Sequence, residues 1–71
     1  MEYNMTTLKT LVRNQRELLL AEKRILQAIA IDYQEGIETD PYVTKKVFEI
    51  SDLILTLNEN IKKCQEEIRK K

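Results

Sequence analysis

The sequence predicts an all-α fold: an antiparallel two-helix hairpin, coiled-coil-like, that dimerises into a four-helix bundle. Three observations predict it. The chain has one glycine and one proline, Gly36 and Pro41, set close together near its middle, which allows a single break. Residues 6–34 contain neither and are rich in Leu, Ala, Glu, Lys, Arg and Gln, the strong helix formers. From residue 43 onward apolar residues recur at alternating spacings of four and three, the signature of a helix with one apolar seam. A sandwich or barrel would need more turn residues than this chain holds. With 71 residues the chain makes one domain, residues 1–71, and a two-domain enzyme is excluded.

Local chemistry places each element. Helix 1 spans about residues 6–34, with Thr6 or Thr7 expected to cap it by accepting from the orphan amides of the first turn. Gly36 can adopt the left-handed conformation that stops a helix. The turn, residues 35–40, is short enough to force the helices antiparallel. Helix 2 spans about residues 41–69: Asp40 caps it and Pro41 takes the first helical position, where its φ is already set. Arg69, Lys70 and Lys71 complement the negative end of its dipole. Tyr33 and Tyr42 flank the turn and are expected to plug that end of the hairpin, hydroxyls reaching water.

The core and oligomer seam is predicted on helix 2: Val43, Val47, Ile50, Ile54, Leu57, Ile61, Cys64 and Ile68. Val47, Ile54, Ile61 and Ile68 form one heptad position and Val43, Ile50, Leu57 and Cys64 the other, sustained over more than three heptads. Its flanking positions Thr44, Ser51, Asn58, Asn60 and Gln65 are neutral, so charge at these positions gives little choice of partner. Helix 1 carries a broader stripe of Met5, Leu8, Leu11, Val12, Leu18, Leu19, Ile25, Leu26, Ile29 and Tyr33, wide enough to face more than one neighbour. Gln15 and Glu22 fall inside that stripe, one heptad apart. A buried amide or carboxylate without a partner is costly, so each should find one or sit at a wet seam. They read as determinants of register or oligomer state; the functional alternative is that Glu22 meets a partner's basic group or takes part in chemistry.

Apolar residues remain outside this two-helix core. Leu20 and Ile31 project from the face of helix 1 opposite the stripe, and Phe48 and Leu55 lie seven residues apart beside the seam of helix 2. These four are the candidate partner surface. An isolated hairpin of this size is expected to be marginal, and a second hairpin would cover the excess.

Composition narrows the function. Apolar residues make up 42% and charged residues 34%, too apolar for a disordered chain and too charged for a membrane one. Twelve Lys/Arg balance twelve Asp/Glu, so the excess of base that phosphate contact demands is absent and nucleic-acid binding is disfavoured. With no histidine and one cysteine, no standard zinc set and no internal disulfide can form; no metal or cofactor is expected. The longest apolar stretches, such as Leu18–Ala21, are far short of a membrane span or signal-peptide core, and the cytoplasm is the expected compartment. Cys64 lacks a base to activate it and reads as a small buried hydrophobe. The carboxylates Glu49 with Asp52 and Glu66 with Glu67 read as solvated helix faces, and no catalytic residue is expected.

Arg24, Gly36, Asp40-Pro41, and Val47 followed four residues later by Ser51 together resemble the small sporulation-regulatory aspartyl-phosphate phosphatases of spore-forming bacteria. The resemblance covers about half the chain, from Arg24 to Ile54. It implies a helical hairpin, often paired, that docks on a phosphorylated response regulator and promotes its dephosphorylation, with Glu49, Ser51 and Asp52 as the residues to test. The family's second-helix signature reads Ser-Gln-Glu-Leu-Asp, where this chain has Ser51-Asp52-Leu53-Ile54-Leu55, so only the serine matches in place. The spacing from Pro41 to Ser51 is also longer than the family's by about one helical turn.

The reading that these observations favour is a small, non-enzymatic helical interaction protein, of the size of a small bacterial or phage regulator. It self-associates, as a homodimer, and regulates or inhibits a partner protein through an exposed helix face. The alternatives are a phosphatase-like hairpin and a structural assembly subunit.

Overall fold

Helix α1 (Met5–Gln34) starts directly after Asn4. Asn4 has an extended backbone, and its side-chain oxygen accepts from the Thr7 amide at 2.9 Å. The cap is therefore Asn4, not Thr6 or Thr7, both of which lie inside the first turn. The Thr7 hydroxyl instead donates to the Glu2 carbonyl at 2.8 Å, and the Thr10 hydroxyl to the Thr6 carbonyl at 3.0 Å. Asparagine is at least as good a cap as threonine, and the last extended residue before the helix takes the role.

At the other end of α1, Gly36 has φ +72°, the left-handed conformation that a side chain disfavours. Its amide donates to the Tyr33 carbonyl at 3.2 Å and that of Ile37 to the Asp32 carbonyl at 2.8 Å, the paired bonds of a Schellman turn. A Cβ at Gly36 would meet nothing within 4 Å, so the requirement for glycine here is conformational. Helix α2 (Pro41–Arg69) begins at once after the turn: the Asp40 carboxylate accepts from the Tyr42 amide at 2.8 Å, and Pro41 opens the helix without needing an N–H partner. Arg69 sits in its last turn, favourably placed against the dipole, and the Lys70 amide closes on the Glu66 carbonyl at 3.1 Å.

The computed structural model describes residues 2–70, and Lys71, expected beside Arg69 and Lys70, lies outside the described residues. Among those described there is no strand. The two helices lie side by side in a rod with extents of 55 × 15 × 13 Å. Every α2 residue of the predicted seam is buried or half-buried, with Ile54 at its middle and Cys64 near its end the most buried. Opposite them, Leu11 is buried and Leu8, Leu18, Ile25 and Ile29 are half-buried. The Cys64 thiol, with no exposure, donates to the Asn4 carbonyl at 3.8 Å and ties the end of α2 to the start of α1.

The tyrosines at the turn do not plug it. Tyr33 is 84% exposed and Tyr42 65% exposed. Tyr33 belongs to a helix row turned away from α2, and Tyr42 sits one position before the seam residue Val43, so both rings point outward. Tyr42 instead packs under the Lys46 ammonium, 5.4 Å from the ring centre.

Candidate interaction surface

Two hydrogen bonds cross the hairpin through side chains. Gln15 Nε2 donates to Asn58 Oδ1, and Ser51 Oγ donates to Glu22 Oε2 at 2.7 Å. The two polar residues inside the α1 stripe are thus each matched by a neutral residue beside the α2 seam. Both pairs repeat at seven residues, 15 and 22 on one helix and 58 and 51 on the other, as antiparallel helices in constant register require. The neutral α2 flank thus bonds across the hairpin at two levels. The matching seven-residue spacing of polar positions in both helices was the sequence signal for it.

The bonds also orient the exposed apolar rows. On α1, Val12, Leu19 and Leu26 lie three or four residues from Gln15 and Glu22 and so form the next row around the helix. On α2, Phe48 and Leu55 stand in the same relation to Ser51 and Asn58. Since 15 meets 58 and 22 meets 51, the two rows border the same broad side of the hairpin. The α1 row extends at strict heptad spacing from Met5 through Val12, Leu19 and Leu26 to Tyr33, and all five are exposed. The broad α1 stripe of the sequence therefore splits in two: one part packs on α2, and the other is bare.

The opposite broad side is different. A shallow groove there is lined by Asn14, Glu17, Leu18, Leu53, Thr56 and Leu57, with polar rims around an apolar floor. Leu20 and Ile31, both exposed, project from the back of α1, away from α2. Of the four candidate partner residues, Phe48 and Leu55 thus share a side with the bare α1 row, while Leu20 and Ile31 stand apart on the back of α1, three turns from each other with Arg24 and Gln27 between them.

The residues considered for chemistry do not converge. Glu49 pairs with Lys46 at 3.2 Å, and that hydrogen bond, with the carboxylate's charge, raises the Lys46 ammonium above its ordinary pKa. Ser51 is engaged with Glu22, and Asp52 is exposed. At about 100° per residue, Glu49 and Ser51 point to nearly opposite sides of α2. Among the described residues no group of three His, Cys, Asp or Glu could hold a metal ion, and no helix is long and apolar enough to cross a membrane. Compared with known proteins, the chain matches no protein-family model, no curated protein and no solved structure.

Proposed function

We propose that this chain is a non-enzymatic helical-hairpin interaction protein that self-associates and acts on a partner protein through an exposed helix face. The observation that carries the reading is the imbalance of burial. Among the described residues only Leu11, Ile54 and Cys64 are buried apolar side chains, while twelve large apolar side chains, from Met5 to Leu55, stand exposed. Single exposed apolar residues are ordinary on a soluble protein, but contiguous rows along a helix mark a surface that something covers.

Two surfaces suit two partners. The broad side bearing the heptad row fits a second hairpin, and Leu20 and Ile31 on the back of α1 remain open in a pair formed there. These two residues would engage the regulated or inhibited protein. The reading is non-enzymatic because Ser51 points away from Glu49 and Asp52 on α2, and Glu49 and Ser51 already have partners. A lone thiol without a disulfide partner suits the cytoplasm as working compartment.

Sedimentation equilibrium over the micromolar range tests self-association: a dimer is expected, a monomer that melts at high temperature sinks the reading, and a larger closed assembly moves it to a structural subunit. For the second surface, replacing Leu20→Lys and Ile31→Lys together should abolish partner binding and leave helicity and the dimer intact.

A further inference from the structure

Beyond the bare apolar rows, each helix carries one more row, and the two are of opposite sign. On α1 it is Lys9, Arg16 and Lys23, each four residues past Met5, Val12 and Leu19; on α2 it is Asp52, Glu59 and Glu66, each four past Phe48, Leu55 and Lys62. All six side chains are exposed, and none takes part in an ion pair within the hairpin, whose ion pairs among the described residues are Lys46–Glu49 and Lys70–Glu67. Three bases and three acids at the same seven-residue repeat, five of them bordering apolar residues and Glu66 bordering Lys62, have the form of the charged edges that flank a helix–helix interface.

We propose that a second copy of this chain covers this side, related by a two-fold axis parallel to the long axis of the rod, so that α1 of each copy packs antiparallel on α2 of the other. The proposal rests on the self-association reading and specifies its face and orientation. Such an axis moves nothing along the rod, so the register within one hairpin is also the register between copies. With 15 level with 58 and 22 level with 51, Leu19 comes within one residue of the level of Leu55 of the second copy, and Leu26 within one residue of its Phe48. Val12 falls at its Lys62, whose aliphatic stem can lie over the valine while the ammonium stays in water. In the same register Lys9, Arg16 and Lys23 stand within two residues, about 3 Å along the axis, of Glu66, Glu59 and Asp52 of the second copy, well inside the reach of these side chains. The last position of the row sets Ala30 against Lys45, which is neutral in effect.

The competing two-fold, perpendicular to the rod, lays α1 on α1 and α2 on α2. It sets the Lys9, Arg16 and Lys23 row against its own copy and the Asp52, Glu59 and Glu66 row against its own, so like charges meet at the centre of both rows, and Lys45 at the end of the acidic row is the one exception. Charge therefore selects between the two symmetric ways of covering one apolar face. In the selected arrangement the Gln15–Asn58 and Glu22–Ser51 pairs of both copies become interior layers, already hydrogen-bonded, that hold the register.

Two triple variants test this by sedimentation equilibrium and native mass spectrometry at low salt. Lys9→Glu/Arg16→Glu/Lys23→Glu makes both rows acidic, and Asp52→Lys/Glu59→Lys/Glu66→Lys makes both basic; each alone should dimerise at least about 30-fold more weakly than the parent. An equimolar mixture of the two should form a 1:1 heterodimer with near-parental affinity, since every crossing contact is then of opposite sign. If either triple variant dimerises like the parent, or the mixture shows no preference for the heterodimer, the arrangement is overturned while self-association stands. If the parent itself is monomeric, both fall. Should a charge-reversed chain lose helicity, the neutral variant Lys9→Gln/Arg16→Gln/Lys23→Gln serves: its dimer should lose most of the parent's salt dependence, and an unchanged salt dependence overturns the proposal.

Discussion

The two apolar rows of helix α1 are made of the same kinds of residue and run nearly the same length, yet one is covered and the other bare. Leu8, Leu11, Leu18, Ile25 and Ile29 pack on α2, whereas Met5, Val12, Leu19, Leu26 and Tyr33 face away from it, a fraction of a turn around the helix. Helix α2 concentrates its β-branched residues in one continuous seam. The difference teaches that one wide stripe can divide into a part that the fold covers and a part that it leaves bare. Hydrophobicity alone does not sort them; the polar residues Gln15 and Glu22, standing between the rows and bonded across to α2, mark the boundary.

The largest effect should come from breaking the seam itself. Ile54→Asp places an unpaired carboxylate at the buried centre and should cost more than about 3 kcal/mol, enough to abolish cooperative melting followed by circular dichroism. Its neighbour Leu55→Asp, on the bare side, should keep full helicity in the monomer and lose the dimer in sedimentation; equal damage from both changes would erase the distinction between seam and surface.

A gentler pair sharpens the two rows of α1. Leu11→Ala should lower stability by about 2–3 kcal/mol in denaturant titrations at every protein concentration, because the cavity forms inside the hairpin. Leu19→Ala should leave dilute protein nearly unchanged and lower the melting temperature only where the parent is dimeric, since the stabilisation from association follows mass action. If Leu19→Ala is as costly as Leu11→Ala in dilute solution, the bare row is part of the fold.

The boundary between the rows has a smaller expected signature. Glu22→Ala and Ser51→Ala should each cost about 1 kcal/mol, and the double variant little more than either, giving a coupling of about 0.5–1.5 kcal/mol. Additive losses in this cycle would show that the bond does not contribute. Smallest of all, Lys46→Ala removes an exposed pair with Glu49 and should leave the thermal melting curve essentially unchanged.

The parts of the fold that were legible in the sequence are those whose causes are local. Asp40-Pro41 and Gly36 act on the backbone within a few residues of themselves, and the α2 seam repeats without interruption, so the break and the second helix could be read directly. The division of the α1 stripe could not, because its deciding partners are 43 and 29 residues away along the chain, Asn58 for Gln15 and Ser51 for Glu22. The choice of Asn4 over Thr6 or Thr7 as the cap does not follow from the sequence, because several capping residues crowd that start and only the backbone conformation ahead of the helix chooses among them. The outward tyrosines follow the same logic: Tyr33 keeps the heptad of the bare row, which placement near a turn in sequence does not reveal.

The bond from the Cys64 thiol to the Asn4 carbonyl has a practical consequence. The molecule carries one sulfhydryl, fully covered, at the pole where the first helix begins and the second nears its end. A thiol reagent can reach it only when that pole frays, and fraying of chain ends is the cheapest opening a helical rod undergoes. The rate of alkylation in native buffer is therefore a clock for local unlatching, distinct from global unfolding, and it comes without any engineered label.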